Sequence, residues 1–367
     1  MKVPKKLIFA VTNDLSFDQR MDRICSTLTL AGYDVTLIGR ELKESLPLKE
    51  KKYTRIRLKC IFEKGKLFYI EYNLKLFFRL MQMPVDVFGA IDLDTALPVY
   101  IAAKLKRKKW TFDAHEYFSE LEEVLSRPII HIAWQWIEAF IIKRSKHAYT
   151  ISYGYAGLFK KRYGTEFRVV RNVPTLEASQ KSDLKTEKPP YLIYQGVLNI
   201  GRGLEESVLA MRDIDKLTLR IYGNGPIKAD LENLIEEHQL GSKVQLCGTV
   251  LPEELKAITR NAFAGLTLFS KQGKHHQYSL ANRFFDYFHA EIPQICVSYH
   301  EYKLFNHEYE IAITIDQPEV KQITSAIKTL QNDQELYQKL KRNCERAAKA
   351  NNWQTESTEL LEIYDQL

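Results

Sequence analysis

The sequence has few cysteines and no long uninterrupted apolar run. The five cysteines, at positions 25, 60, 247, 296 and 344, are odd in number and widely scattered. This spacing is typical of reduced thiols and argues against a disulfide framework or a zinc site. Because no stretch of about 18 uncharged apolar residues occurs, we expect no membrane-spanning helix. The apolar run at 7–12 ends at Asn13 and Asp14, which argues against a secretory signal and predicts a cytoplasmic location.

Several nucleotide and metal motifs are also missing. There is no Walker A sequence, and no GxGxxG follows the first predicted strand. The adjacent pair His275 and His276 is too close in sequence for one ordinary zinc site, and no other histidine pair has metal-ligand spacing. Basic residues do not alternate with aromatics on a recognisable nucleic-acid module. We therefore expect no metal, no cofactor and no nucleic-acid partner.

What the sequence does contain is typical of a globular protein with two domains. It has 367 residues, of which 45% are hydrophobic and 27% charged. The net charge of +7 is uneven, since residues 1–180 hold 31 Lys and Arg against 20 Asp and Glu, and the rest holds 22 against 26. A basic first half predicts contact with something anionic: a lipid surface, a polyanion or a phosphorylated ligand. An ordinary solvated, lysine-rich surface explains the same charge.

One segment of the first half combines bulky aromatics with cations. The aromatics are Phe62, Phe68, Tyr69, Tyr72, Phe77 and Phe78, and the cations are Lys64, Lys66, Lys75 and Arg79. A second basic cluster occupies residues 104–109. An amphipathic helix of this composition lies on anionic lipid, which would place the protein peripherally on the inner face of the cell membrane. The alternative is an ordinary helix packed on a sheet.

Apolar runs alternate with amphipathic stretches along the whole chain. The predicted strands are Lys6–Thr12, Tyr33–Ile38, Arg55–Cys60, Val85–Ala90, Lys109–Asp113, His147–Ile151, Arg168–Arg171, Tyr191–Gln195, Leu217–Tyr222, Lys243–Gly248, Ala264–Phe269, Pro293–Val297 and Ile311–Ile315. The first helix is predicted at Phe17–Ala31, with Ser16 and Gln19 as a capping box. This alternation predicts an α/β fold with two doubly wound parallel sheets. Residues 177–190 read as a linker between them.

The loops after strands of the second sheet carry the clearest candidates for a binding site, because open parallel sheets bind ligands there. Gly196, Gly203, Gly223 and Gly225 allow close backbone approach, and Arg202 offers a fork of donors for phosphate. Pro226 is predicted to open a helix. A plain strand-to-helix turn explains each glycine loop as well. Further on, a helix predicted from about Leu280 to before Pro293 carries Asp286 among aromatic side chains, where a carboxylate needs a partner or a ligand hydroxyl.

At this point the chain resembles a known family. The ordered set Gly196…Arg202-Gly203, Tyr222-Gly-Asn-Gly-Pro226, Pro252–Lys256 and Asn282–Tyr287…Ile292-Pro293 looks like the donor domain of GT-B retaining glycosyltransferases of the family 4 type. The first half agrees through 11–20, 113–116 and 170–174. The resemblance implies two Rossmann-like domains facing a cleft. It assigns 1–176 to an acceptor-side domain, 191–350 to a nucleotide-sugar donor domain and 351–367 to a helix crossing back to the first domain.

The resemblance also implies a role for each matching residue. Arg202 would contact the donor diphosphate, Asp286 would bind ribose hydroxyls, and His115 would lie near the transferred sugar; these three are the candidate catalytic residues. The other implied donor contacts are Gly196, Gly203, Gly223, Asn224 and Gly225 near the nucleotide, Val250 and Leu251 near the base, and Tyr278, Ser279, Leu280, Ala281 and Asn282 near the distal phosphate and sugar. The implied partners are a nucleotide-sugar donor and a glycan or lipid-linked acceptor, in surface polysaccharide or glycoconjugate synthesis.

Three departures from the family pattern keep other functions open. Tyr278 stands where the family's E-x7-E motif has its first acid, Val197 replaces the usual arginine after the first glycine, and Leu15-Ser16 replaces a glycine pair near the acceptor. A binding or scaffold protein that has kept the fold without turnover is one alternative. A sugar-nucleotide epimerase of the same fold is another, although it would need more acid–base residues.

Overall fold

The computed structural model describes residues 3–16, 18–177, 189–271 and 275–367. The chain forms two compact units: unit 1 contains Met1–Asn172 and Thr355–Leu367, and unit 2 contains Val173–Gln354. Most of the predicted linker, residues 178–188, lies outside the described residues.

Unit 1 is built on a parallel sheet. Its elements are β1 Lys6–Asp14, α1 Gln19–Leu30, β2 Asp34–Glu41, β3 Thr54–Lys59, α2 Gly65–Gln82, β4 Val87–Ile91, α3 Leu93–Leu105, β5 Lys109–Ala114, α4 Glu122–Leu125, α5 Pro128–Ile142, β6 Ala148–Thr150, α6 Tyr153–Tyr163 and β7 Arg168–Val169. The described strands lie in the order β3-β2-β1-β4-β5-β6-β7, and every neighbouring pair is parallel. The central strands are buried over most of their length, because helices cover both faces of such a sheet.

The last helix, α14 (Trp353–Asp365), packs on unit 1. The Tyr364 hydroxyl lies 3.1 Å from the Thr111 hydroxyl and 3.2 Å from that of Tyr149, and its ring meets Phe9 edge-on. At the other end of the helix, Arg171 pairs with Glu356. Through these contacts the C-terminal helix is part of unit 1.

Unit 2 repeats the same plan with a smaller sheet. Its elements are β8 Tyr191–Gln195, α7 Leu204–Ala210, β9 Thr218–Tyr222, α8 Lys228–Glu237, β10 Val244–Gly248, α9 Pro252–Arg260, β11 Ala264–Thr267, α10 Asn282–His289, β12 Gln294–Val297, α11 His300–Tyr309, β13 Ala312–Ile315, α12 Val320–Asn332 and α13 Gln334–Ala350. The described strands run β10-β9-β8-β11-β12-β13, again all parallel. The α/β prediction with two doubly wound sheets is confirmed, and each predicted strand lies within three residues of its expected ends.

Three predictions about helix starts are wrong in detail. The cap of α1 is Asp18, which accepts from the Met21 amide, whereas Ser16 is occupied by a bond from Arg57. Asp18 lies next to the helix and reaches its third amide, so it displaces Ser16 from the role. Phe17 lies outside the described residues. Pro226 precedes α8, which begins at Lys228, and α10 begins at Asn282, two residues later than predicted.

Helix α2 presents apolar side chains on two faces. Phe68 and Tyr72, which the sequence placed in a basic–aromatic surface, are buried under the helix and were wrongly assigned to that surface. The opposite face exposes Leu67, Ile70 and Leu74 by more than half each. Among the described residues, no helix is both long and apolar enough to span a membrane.

Candidate active site

The strand order fixes where each unit has room for a ligand. In unit 2 the chain moves outward from β8 in one direction and from β11 in the other, so these two neighbouring strands form the topological switch point. Loops after such strands diverge and leave a crevice at the carboxyl ends. The loop after β8 begins at Gly196, and the loop after β11 contains Phe269 and Ser270.

The two glycine loops of unit 2 pack against each other. Gly196 donates its amide to Tyr222 O over 3.0 Å, and Leu198 donates to Asn224 O over the same distance. A Cβ on Gly223 would stand 1.8 Å from Gly196 O, and one on Gly225 would stand 2.1 Å from Leu198 O. These glycines are therefore required for backbone–backbone packing. The sequence predicted that these glycines allow close approach of the backbone. The structure shows such an approach between the two glycine loops themselves.

Asp286 is the end of a chain of side-chain hydrogen bonds. Gln195, the last residue of β8, donates from Nε2 to Asp286 Oδ2 over 2.8 Å. The Gln195 amide oxygen accepts from the Thr259 hydroxyl at 2.7 Å. Asp286 is half-buried, while its neighbours Phe285 and Tyr287 are buried in the core. The carboxylate is thus held at the carboxyl end of β8, as a ligand for hydroxyl groups would need to be.

Two arginines share the ring of Phe269. The Arg202 guanidinium lies over this ring at 4.8 Å from its centroid, and the Arg283 guanidinium lies over it at 4.6 Å. Arg283 also lies over the ring of Tyr194 and donates to its hydroxyl at 3.4 Å. Gly203, in the left-handed region with φ of 65°, follows Arg202 and is the N-cap residue of α7. Positive charge is therefore concentrated beside the switch point.

Two histidines add to this cluster in their neutral form. The His276 ring stacks on Phe269, and His275 meets His276 edge-on. Burial, reinforced by Arg202, lowers the pKa of His275 to about 4. Burial, then His275 and the two arginines lower the pKa of His276 to about 2. Burial, with the nearby positive charges, thus disfavours protonation of both histidines.

The segment between the histidines and α10 carries the remaining predicted phosphate and sugar contacts. Tyr278 lies against His300, with ring centroids 5.3 Å apart, and Ser279 is buried and donates its hydroxyl to His275 O. The amide of Ala281 donates to the Tyr302 hydroxyl over 3.1 Å. Leu280 is half-buried, and Asn282 is exposed at the start of α10.

The two residues predicted near the base lie beyond β10. Val250 is partly buried and packs against a core cluster that includes Tyr191 and Tyr222. Leu251 is 54% exposed and precedes α9. Gly223 donates its amide to Gly248 O over 2.8 Å, which brings the end of β10 to the second glycine loop.

His115 belongs to unit 1, where it follows β5. Its Nε2 lies 2.7 Å from Asp113 Oδ2 and 2.8 Å from Arg20 Nε. Arg20 is buried on α1 and pairs with the fully buried Asp113 at 3.0 Å. Burial raises the pKa of Asp113, but the charges of Arg20 and His115 outweigh it and hold the pKa below its usual value.

Two further carboxyl groups of unit 1 stand at the end of β4. Asp92 has φ of 57°, and its Oδ1 accepts from the His115 and Glu116 amides at 2.7 and 3.1 Å. Burial and the neighbouring carboxylates Glu116, Asp94 and Asp113 raise the pKa of Asp92 well above its usual value. Burial raises the pKa of Asp94 to about 6. The carboxyl edge of the unit 1 sheet is therefore rich in acids.

The site as found contains residues that the sequence prediction missed. Gln195 orients Asp286, and Arg283 adds a buried cation, yet neither was among the predicted site residues. Gln195 had a signal, because it is a polar residue at the buried end of a strand and directly precedes a glycine. Arg283 follows the predicted small-residue loop, but its direction toward Tyr194 is set by packing across the sheet. Within the described ranges, no group of three His, Cys, Asp or Glu side chains has the geometry of a metal site.

Comparisons with known proteins identify the fold and a family match for part of the chain. The family model for glycosyl transferases group 1 matches residues 177–347, just under half of the chain. No curated protein gave a significant match. Among solved structures, sucrose-phosphate synthase from Thermosynechococcus elongatus matches with a TM-score of 0.79 at 15% identity, covering 99% of this chain and 98% of that one.

Two other solved structures are similar over the whole chain. HepE of Anabaena, in complex with UDP and glucose, has a TM-score of 0.78 at 10% identity, with 99% of this chain and 100% of that chain covered. WaaG, a glycosyltransferase involved in lipopolysaccharide biosynthesis, has a TM-score of 0.76 at 14% identity, with 97% and 99% covered. The fold is thus the GT-B fold, and residues 177–347 are a glycosyl transferases group 1 domain. The predicted glycosyltransferase class is confirmed.

Proposed function

We propose that the protein transfers a sugar from a nucleoside-diphosphate sugar to a glycan or lipid-linked acceptor, with retention at the anomeric carbon. One observation carries this proposal. At the switch point of unit 2, which contains the family match, a cluster of arginines and a carboxylate held by a hydrogen bond lie at the same edge of the sheet. Arg202 supplies positive charge for a diphosphate, and Asp286, held by Gln195, supplies acceptors for ribose hydroxyls. HepE, which shares the fold, was solved with UDP-glucose.

The chemistry follows from what the leaving group needs. Breaking the bond between the sugar and the diphosphate leaves negative charge on the phosphate oxygens. Fixed cations and backbone amides stabilise that charge without reorganising, which is the largest contribution in many such sites. The proposal assigns this work to Arg202 and the segment Ser279–Asn282, so transfer needs no metal ion. The acid-rich edge of unit 1, with His115, is assigned to the acceptor.

The test is a transfer assay in two stages. A thermal-shift panel of nucleotide sugars first selects the donor by the rise in melting temperature that tight binding produces. The selected donor is then incubated with glycan and lipid-linked acceptors with and without EDTA. We expect transfer in both conditions and the same anomeric configuration in donor and product. Loss of transfer with EDTA that a divalent ion restores would contradict the metal-independent mechanism. Binding without transfer, or interconversion of free sugar nucleotides, would favour the scaffold or the epimerase instead.

A membrane-linked acceptor is favoured by the surface of unit 1. Helix α3 packs against both α2 and α5, and α5 exposes Ile129, Ile132 and Trp136 by 83%, 66% and 63%. Exposed cations, Lys64 and Lys66, border the apolar face of α2. We propose that this face, residues 61–78 with 129–136, lies on anionic lipid. In sedimentation at low salt, we expect binding to anionic vesicles and little binding to neutral ones; equal sedimentation with both would contradict the proposal.

A further inference from the structure

Arg283 is a buried cation, and two of its three guanidinium nitrogens have no hydrogen-bond partner within the described residues. The residue is only 8% exposed, and its Nε and Nη2 have no hydrogen-bond partner there. The contacts that it does make are to two aromatic rings and to one tyrosine hydroxyl. A guanidinium loses much of its hydration on burial, and cation–π contacts return only about 0.5–2 kcal/mol each. Its remaining donors therefore call for an anionic ligand.

A second polar group of this region, in the loop after β11, is also unused within the described residues. The Ser270 hydroxyl is buried and has no partner among the described residues. Its position is fixed because the Ser270 amide donates to Gly201 O over 2.8 Å, directly beside Arg202. Ser270 follows Phe269, the ring that both arginines share. Two independent polar side chains thus meet the same small region without a partner of their own.

The loop after β8 runs close to the guanidinium. Gly196 has φ of 139°, and a Cβ there would stand 3.1 Å from Arg283 Nη1. Any side chain at position 196 would therefore press on the guanidinium. Burial lowers the pKa of the neighbouring His276, and the charges of Arg202 and Arg283 lower it further. The ligand chemistry that fits is a phosphate group, whose oxygens match the planar fork of an arginine.

We propose that Arg283, assisted by Ser270, is a second phosphate-binding residue that receives the diphosphate of the nucleotide sugar together with Arg202. This inference rests on the proposed function and adds to it a residue pair that clamps the leaving group from the side of β8 and β11. The two guanidinium groups share one aromatic support, so the ring of Phe269 keeps both cations in place despite their mutual repulsion. A nucleoside without phosphates makes no use of either group.

Calorimetry with UDP, ADP and GDP and with their nucleosides, in EDTA, tests the assignment. Arg283→Met removes the charge but keeps most of the length, and Arg283→Lys restores the charge with a single donor group. We expect Arg283→Met to weaken the best-bound nucleoside diphosphate by about ten- to a hundredfold, and its nucleoside by less than about twofold. Arg283→Lys should recover part of the loss, and Ser270→Ala should cost about two- to tenfold. Arg346→Met, which removes an exposed guanidinium over Tyr309, is the matched control and should change neither affinity.

The outcomes separate this inference from the proposed function. If no nucleoside diphosphate binds the wild type, the proposed function fails, and the inference fails with it. If the wild type binds and Arg202→Ala weakens binding but Arg283→Met does not, only the role of Arg283 is overturned. An equal loss for nucleoside and nucleoside diphosphate would show that Arg283 is structural. Should Arg283→Met not fold, Arg283→Lys decides: a loss of about three- to tenfold for the diphosphate alone supports the inference, and no loss overturns it.

Discussion

At the carboxyl edge of each sheet, the charged residues are opposite in sign to the net charge of the half of the chain that contains the sheet. The first half of the chain is basic, yet its sheet ends in Asp92, Asp94 and Asp113. The second half is mildly acidic, yet its sheet ends beside Arg202 and Arg283. Net charge describes the solvated surface, while a site is defined by a few residues at the ends of a few strands. The basic balance of the first half is therefore no guide to what its crevice binds.

The two edges also differ in how their charges are satisfied. In unit 1 the buried Arg20 is fully engaged, with bonds to Asp113, His115 and Val170 O. In unit 2 the buried Arg283 keeps donors that the described residues do not use. A cation that is paired inside the protein contributes to stability, whereas one that is unpaired is held for a ligand. Removing a cation should hence cost folding free energy at the first edge and ligand affinity at the second.

The largest expected effect is on stability, at the carboxyl edge of the unit 1 sheet. Arg20→Met leaves Asp113 buried without its guanidinium, which should lower the free energy of unfolding by about 3–5 kcal/mol. Lys160→Met is the control, because the Lys160–Glu166 pair is 66% and 79% exposed, so its loss should change the free energy of unfolding far less. Urea denaturation followed by circular dichroism measures both. A cost for Arg20→Met as small as that of the control would show that the first edge is not held by this pair.

The next largest effect is on binding of the nucleotide-sugar donor at the carboxyl edge of the unit 2 sheet. Asp286→Asn keeps the shape but replaces one acceptor by a donor, so it should weaken donor binding by about 1.5–3 kcal/mol while the fold is retained. To identify the group that Asp286 contacts, calorimetry compares the affinities for the ribose and the 2′-deoxyribose forms of the same donor. Wild type should discriminate between them, and Asp286→Asn should not. Unchanged discrimination in the variant would remove Asp286 from the ribose site.

The smallest effect is a dependence of stability on pH at the second edge. The pKa of His275 falls to about 4 on folding, mainly through burial, while in the unfolded chain its pKa is the ordinary value of 6.5. The stability linked to this group is therefore complete above pH 6.5 and is lost as the pH falls toward 4. Between pH 7.5 and pH 5, wild type should lose about 1–2 kcal/mol more than His275→Gln. His307→Gln, at an exposed position on α11, should follow the wild type; the same pH profile in all three proteins would contradict the assignment.

The fold was predictable from the sequence because its signals are local. Strands such as Tyr191–Gln195 are short apolar runs buried on both faces, and the glycines at 196, 203, 223 and 225 follow strand ends or precede helices. The cap of α1 was mispredicted because Ser16 and Asp18, two positions apart, can both accept from helix amides, and only the backbone path selects between them.

The candidate site was predictable only where motif and strand end coincide. Arg202 and Asp286 were predicted because each has a recognisable motif around it. The role of Gln195, and the direction of Arg283 toward Tyr194, depend on which strands and helices are neighbours across the sheet. Likewise, Arg20 reaches Asp113 across 93 positions of the chain. Such pairings come from topology and leave no periodic pattern in the sequence.

The central claim is that the carboxyl edge of the unit 2 sheet binds a nucleoside diphosphate without a metal. Amide hydrogen exchange in EDTA, with and without the best-bound nucleoside diphosphate, tests it most directly because it reports the place of binding as well as the fact. The account predicts slower exchange in the segments 196–203 and 279–286, and little change in α12 and α13. Protection that leaves both segments unchanged, or that needs an added divalent ion, would contradict it.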